Sequence, residues 1–381
     1  MNRRHAAMIP ALLISSRLLF AQGAPPSKAT ASPESIQVAQ AWSLIAQGDV
    51  TRAATLAANL LVEYPRNVSV LALAIEAEIL RTGAMSGLDT YERWLGARKL
   101  DDGYVLRRVA RGALREAVRN HTEGPSRLDA LKALAADGDT DAKSELEKAS
   151  FSGNAGETDV LASLGDARAV NILVAEMNST PGNKTRHIAA LAESHSTLAV
   201  KALLPLLTDA SDINRAAAAD ALGKLGATEA IARIKPLLDD KIFTVHLVAA
   251  GALYRLGEMS GLSFLRELEA SQYGGLRLAA AKATSSTPDA AWQNLVRGLI
   301  QDPEASVRID AAQLIAPYDP ELAKAALERL LGDENVAVRQ VAATVYAQNV
   351  AGDFAVLRRF LRSSDNLVRA RAAGRILELT R

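Results

Sequence analysis

The chain has 381 residues, 49% of them hydrophobic but only 4% aromatic, and no cysteine. That is ample for a large core, and its abundant small residues suit helix-on-helix packing better than a sheet core. The 44 basic and 43 acidic side chains leave it near neutral, which excludes nucleic-acid binding driven by overall charge.

The N-terminus reads as a targeting segment. Asn2-Arg3-Arg4-His5 is a basic start, Ala6 to Phe20 a mostly apolar stretch, and Ala21-Gln22-Gly23 supplies small residues. This is the pattern of a signal peptide spanning residues 1–23, cleaved near Gly23 or after Ala21, and it predicts a periplasmic or secreted protein. With no cysteine there is no lipobox, and no disulfide. Removing residues 1–23 deletes Arg3, Arg4 and Arg17 and leaves 41 bases against 43 acids. No later stretch approaches 18 uncharged apolar residues, so no transmembrane insertion is expected. Residues 24–33, rich in Pro, Ser, Ala and Thr, form a flexible lead-in.

Residues 34–160 carry an irregular helical pattern. Ala39, Ala41, Leu44 and Ile45 mark a first helix, and Gly48-Asp49 breaks it. Ala53, Ala54, Leu56, Ala57, Leu60 and Leu61 mark a second, ending at Tyr64-Pro65, and Val68 to Leu80 a third. Trp42, Gly48, Ala53 and Pro65 resemble a tetratricopeptide unit over about 35 residues, which implies an antiparallel helical hairpin. Gly83 to Gly87 reads as a loop, Leu88 to Leu95 as a short helix with Trp94. Asp101-Asp102-Gly103 precedes a helix, Thr122 to Pro125 is a break, and two helices follow at Arg127–Ala136 and Asp141–Ala149. Phe151 to Glu157, with two glycines, reads as a loop.

From residue 161 to 381 the pattern becomes regular. Leu161 to Asp166 echoes Leu222 to Gly226 and marks a join between units; Ala167 to Met177 is a helix, and Arg186 with Ala189-Ala190 opens its partner. Arg215, Arg277, Arg308 and Arg339 then fall on a period of 31, His246 takes the vacant place, and Arg369 follows after 30. Six residues ahead of them stand Asp209, Asp240, Ser271, Asp302, Asp333 and Ser363, and an alanine pair follows each three and four residues on. Each unit is predicted as a helix, a short polar turn and a second helix bearing the Arg and the alanines. No pair can bury its apolar face alone, so the units must stack into an all-α solenoid of antiparallel helix pairs.

The segments 302–312 (DPEASVRIDAA) and 333–343 (DENVAVRQVAA) resemble HEAT repeats, close to a bacterial short-repeat branch. The resemblance implies a ladder of Asp and Arg bonding within and between repeats: Asp209, Arg215, Asp240, His246, Arg277, Asp302, Arg308, Asp333, Arg339 and Arg369. Asp302 with Arg308 and Asp333 with Arg339 are expected rungs. The family includes scaffolds, adaptors and lyases, so it bears on fold more than on function.

No catalytic motif stands out. His187 and His195 lie eight apart and, with Asp209, offer only a loose triad; no His-x-x-x-His or His-Glu-x-x-His occurs, so neither a metal nor another cofactor is expected. There is no nucleophile elbow and no phosphate loop. The favoured expectation is an exported protein-binding scaffold whose curved surface takes a helix or an extended segment of another protein. Candidate contacts on the second helices are Tyr254, Arg255, Lys282, Gln313 and Tyr346. Two alternatives are an enzyme or lyase-like subunit with its site in residues 34–160, and a structural envelope element that self-associates. The chain's last unit is expected to present an open polar flank, carried by Arg358, Arg359, Arg362, Arg371, Arg375 and Arg381.

Overall fold

The computed structural model describes residues 32–96, 100–120, 124–179, 182, 184–350 and 352–381. The expected signal segment, residues 1–23, and nearly all of the expected lead-in, residues 24–33, lie outside the described residues. Every regular element among them is helical, and the all-α stacked-helix solenoid expected from the sequence is the fold. The chain divides into two compact units, the first reaching to Val109 and the second running from Ala110 to Arg381.

The first unit holds α1 (Pro33–Ala46), α2 (Val50–Glu63), α3 (Val68–Thr82) and α4 (Ala84–Leu95), each packed against the next. Polar residues start the first three. Ser32, Asp49 and Asn67 accept hydrogen bonds from backbone N–H groups of the first turn, satisfying donors that the helix cannot. Ala41, Ala54, Ala57, Leu60, Val70 and Leu73 form the core, with Trp42 against its edge. The hairpin predicted around Gly48 and Ala53 is present: Gly48 turns the chain at φ +84° and Ala53 is fully buried. The expected loop at 83–87 shrinks to one residue. Gly83, at φ +115°, makes the turn alone, and Gly87 sits inside α4 because a Cβ there would strike Ile79. A glycine read as a breaker is a packing glycine.

Helix α5 (Gly103–Asn120) runs from one unit into the other. The second unit continues with α6 (Pro125–Ala136), α7 (Thr140–Phe151), α8 (Ala155–Ser163), α9 (Ala167–Ser179) and α10 (Thr185–Glu193). The regular repeats follow as α11 (Thr197–Leu203), α12 (Asp212–Lys224), α13 (Ile231–Ile234), α14 (Phe243–Arg255), α15 (Leu262–Glu269) and α16 (Gly274–Ala283). The rest comprises α17 (Ala290–Leu299), α18 (Ala305–Ile315), α19 (Pro320–Leu330), α20 (Val336–Val345), α21 (Phe354–Leu361) and α22 (Asn366–Leu379). Pro205 and Pro236, which lack an N–H, convert the ends of α11 and α13 into 3-10 turns. The loop expected at 151–157 also shrinks, because Gly156 lies inside α8 in tight contact with Leu128.

The even-numbered helices α6 to α22 form an inner wall in which each touches the next, and the odd-numbered ones lie outside. Five of the six alanine pairs are buried between them: Ala218, Ala219, Ala249, Ala250, Ala280, Ala281, Ala311, Ala312, Ala372 and Ala373 are all at 0% exposure, while in the sixth Ala342 is buried and Ala343 partly exposed. Small residues set the spacing. A Cβ on Gly223 would crowd Ala252, and one on Gly251 would crowd Ala283, so neighbouring inner helices meet backbone to backbone.

The wall closes on itself. Helix α22 packs along α6. Arg371 Nε donates to Asp129 Oδ2 at 2.9 Å, and Gly374 lies so close that a Cβ there would stand 3.3 Å from that of Ala133. Ala370, Ile376 and Leu377 are buried on one side of this seam, Ala130, Leu131 and Leu134 on the other. The open polar flank expected at the last repeat is therefore not there: α22 is covered by α6, Arg371 is spent on Asp129, and Arg375 pairs with Glu378. Arginine content alone did not reveal this, because alanines and glycine fill the seam.

Candidate functional site

The ladder is built differently from the expected rungs. Arg215 donates to its own repeat's Asp209 and Ala210 carbonyls at 2.9 and 3.2 Å, and forks onto the carboxylate of Asp240 in the next repeat at 2.8 and 3.1 Å. That fork holds the Asp240 carboxyl below the usual carboxylate range, chiefly through the Arg215 hydrogen bond. Arg277 repeats the scheme on the Ser271 and Gln272 carbonyls and on Asp302 Oδ2 at 3.2 Å. Arg308 takes the carbonyls of Asp302 and Pro303, and its contact with Asp333 is loose at 3.8 Å. Arg339 and Arg369 likewise hold carbonyls of their own loops. Asp302 and Arg308 thus do not pair through the carboxylate; each side-chain rung skips to the following repeat. Ser271 needs no acid here, since Arg277 takes only its carbonyl, while its hydroxyl accepts from the Tyr273 N–H at 3.2 Å. His246 leaves the ladder and stacks on Phe264 with centroids 3.9 Å apart.

The candidate contact residues separate into three places. Tyr346 is buried, its hydroxyl donating to Glu328 Oε1 at 3.0 Å, and burial pushes its pKa well above the ordinary tyrosine value. Tyr254 and Arg255 end α14; Tyr254 pairs with the Thr287 hydroxyl, and Arg255 reaches Asp220 of α12 at 3.4 Å. Lys282 and Gln313 come together in a cleft of about 540 Å³ across α16, α18 and α20. Asp310, Leu314, Tyr318 and Asn349 line it together with Ser285, Ala316 and Pro317, and Lys282 Nζ lies 2.6 Å from Asp310 Oδ2. Asn349 was not anticipated. It lies in a π-helical turn, Tyr346–Val350, that ends α20, and its Nδ2 is buried with no hydrogen-bond partner. The available signal was the slip from 31 to 30 between Arg339 and Arg369, which falls in this repeat.

The inner helices pair their charges with one another. Besides Lys282–Asp310 and Arg371–Asp129, Lys132 meets Glu193 at 2.8 Å, and within α12 Lys224 meets Asp220 at 2.7 Å. The rim formed by the N-terminal ends of these helices is different. Ile213, Ile242, Phe243, Tyr273 and Val336 stand exposed there, each two to four residues ahead of the ladder position.

His187, His195 and Asp209 do not form a site. His187 joins Arg186, Glu176 and Asp159 instead: its Nε2 lies 3.4 Å from Glu176 Oε2, and Arg186 Nη1 is 2.6 Å from Asp159 Oδ1. Burial, helped by Arg186, lowers the His187 pKa, and burial raises that of Asp159 against the pull of Arg186. His195 adopts a left-handed backbone at the turn after α10. Among the described residues no group of three or more His, Cys, Asp or Glu is placed to hold a metal ion, and no helix is long and apolar enough to cross a membrane. In the first unit, Leu61, Val62, Pro65, Ala74 and Trp94 line a second cleft of about 480 Å³. Trp94 Nε1 donates to the Pro65 carbonyl across it at 2.9 Å.

The model of the HEAT-repeat family matches residues 200–285. No curated protein matches the sequence. Among solved structures, the chain is similar to human deoxyhypusine hydroxylase in complex with glycerol, at 18% identity over 60% of this chain and 90% of that one, with a TM-score of 0.32. It is similar to the complex of CpcE and CpcF of phycocyanin lyase from Nostoc, at 19% identity over 68% and 94% and a TM-score of 0.36. An engineered protein aligns at 22% identity over 90% and 98%, with a TM-score of 0.28. These likenesses concern fold, and the chain is an all-α solenoid of HEAT-like helix pairs carrying a HEAT-repeat match at its centre.

Proposed function

We propose that the protein is a non-enzymatic scaffold, exported to the periplasm or beyond, that holds a helix or an extended segment of another protein. The apolar rim carries this reading. Ile213, Ile242, Phe243, Tyr273 and Val336 stand two to four residues ahead of the ladder position, at the starts of four inner helices, α12, α14, α16 and α20, and 63% of Tyr273 is exposed. Large apolar groups repeated along one rim are costly in water and mark a contact surface. The charges of the inner helices, being paired with each other, leave the rim as the stronger source of affinity. Export is supported by the order of basic, apolar and small residues in 1–23.

The test uses the chain from residue 24 as bait in an envelope extract, beside the double variant Ile213→Asp/Tyr273→Asp. A partner captured by the first and lost by the second is the expected result; equal capture by both refutes the rim. N-terminal sequencing from the native host addresses export: a chain starting near residue 24 is expected, and one starting at Met1 in the cytosol refutes it.

A further inference from the structure

We propose that the chain's own residues 24–31, which precede α1 and lie outside the described residues, seat Pro25-Pro26 on the apolar end of the first unit's cleft, against Leu61, Val62, Pro65 and Trp94. This goes beyond the scaffold reading and does not rest on the rim. Three observations point to that occupant. The first is the chemistry of the cleft. Its polar lining groups are engaged locally: Arg93 folds back on the Asp89 carbonyl and the Thr90 hydroxyl, and Glu78 pairs with Arg81 at 2.7 Å. The surface left over is apolar, with Val62 at 84% exposure and Trp94 half-exposed. Trp94 is held in place, because its Nε1 donates to the Pro65 carbonyl at 2.9 Å and its ring tilts against Tyr91 with centroids 6.1 Å apart. A fixed aromatic beside aliphatic side chains is the kind of shelf on which polyproline II segments dock.

The second is where the described residues begin. Ser32 caps α1, and Asn67 Nδ2 donates to Glu34 in the first turn of that helix. Asn67 itself caps α3 two residues after Pro65, so the lead-in emerges beside the Pro65 end of the cleft. Pro25 is seven residues ahead of Ser32, a reach of up to about 23 Å. The shelf from Pro65 back to Leu61 is one helical turn, about 6 Å. The tether is long enough to round the connection between α2 and α3, and short enough to hold the prolines at the shelf at a millimolar effective concentration.

The third is composition. Ala24-Pro25-Pro26-Ser27-Lys28-Ala29-Thr30-Ala31 carries a single charged side chain and no large apolar one. A proline pair favours the extended polyproline II form, so little freedom is lost when it is seated. It also presents ring carbons in place of N–H donors, which an apolar shelf would leave without acceptors. A separate partner of equal intrinsic affinity has to reach millimolar concentration to displace it.

The test reads the indole N–H signals of the ¹⁵N-labelled chain from residue 24, with Trp94 assigned by its loss in Trp94→Phe. Starting the chain at residue 32, or substituting Pro25→Ser/Pro26→Ser, should move the Trp94 signal to one common position and leave that of Trp292 in place. Trypsin gives a second readout at the Lys28–Ala29 bond. With a dissociation constant of about 1 mM against an effective concentration of about 4 mM, docking slows that cleavage about fivefold. Val62→Ser, at an exposed position, should remove the protection with circular dichroism unchanged. A Trp94 signal unmoved by either change, or the same cleavage rate in Val62→Ser, overturns the proposal. So does a Trp94 shift that grows with protein concentration, which assigns the cleft to the lead-in of a second copy.

Discussion

Asp302 and Asp333 occupy equivalent places in two repeats that share the Asp, Val-Arg and Ala-Ala frame, yet the structure assigns them unequal weight. Asp302 has a side chain only 5% exposed and accepts from Arg277 Nη2 at 3.2 Å and from the Glu304 N–H at 3.0 Å. Asp333 has a side chain 23% exposed and accepts from the Asn335 N–H at 2.9 Å, but its arginine, Arg308, stands 3.8 Å away. Replacing either by alanine removes the loop hydrogen bond, costing about 1 kcal/mol. Asp302→Ala also removes a buried charge-assisted bond, costing a further 1.5–3 kcal/mol or so. Asp333→Ala removes only a partly exposed contact, for which about 0–1 kcal/mol is appropriate. The Arg277 guanidinium keeps its two carbonyl partners in the first variant, which holds the loss near the lower end. Asp302→Ala should therefore be the more destabilised by about 1–2 kcal/mol. Urea unfolding of the two variants, followed by circular dichroism, measures the difference as a shift in midpoint. Equal midpoints, or a larger loss in Asp333→Ala, would refute the one-repeat offset of the ladder.

Gly274→Val should lower the midpoint at least as far as Asp302→Ala, because a Cβ at 274 collides with the Asp302 carboxylate; Gly275→Val, facing open space, should change it little by the same assay. Ala133→Cys with Gly374→Cys should form a disulfide across the α6–α22 seam, since the two Cβ positions are 3.3 Å apart and the chain has no other cysteine; free thiols persisting after mild oxidation would contradict closure. For His187, the folded pKa lies below the ordinary 6.5, so the unfolded chain takes up its proton first as the pH falls. Stability is expected to drop from about pH 7 to pH 5, and His187→Gln should flatten that slope in thermal melts. A slope unchanged in the variant would exclude His187 as its source.

The helix pairs were legible because period and packing are local: Arg, turn residue and alanine pair recur on the sequence scale at which a helix pair forms. What stayed hidden depends on neighbours. Gly87 and Gly156 look like breakers in one dimension and prove to be contact points once Ile79 and Leu128 are placed beside them. The ladder arginines were found but their carboxylate partners misassigned, since the sequence interval from Arg308 to Asp302 is shorter than that to Asp333, whereas the side chain reaches forward. Lys282 and Gln313, which position alone suggests, do share a cleft, while Tyr346 reads as surface because an aromatic at the end of a helix carries no mark of burial. Asn349 is not singled out by the sequence, because the slip from 31 to 30 marks its repeat but not the residue within it.

The seam between α6 and α22 limits how this gene product can change. An open array can gain or lose a repeat and stay folded, because each unit answers only to its neighbours. Nine inner helices on a closed path must turn by about 40° at each junction, and an added or deleted pair would demand a different angle at every one. Repeat number is thus locked by circumference, and lengthening by duplication, the usual route by which such arrays diversify, is closed to this unit unless the seam is first abandoned.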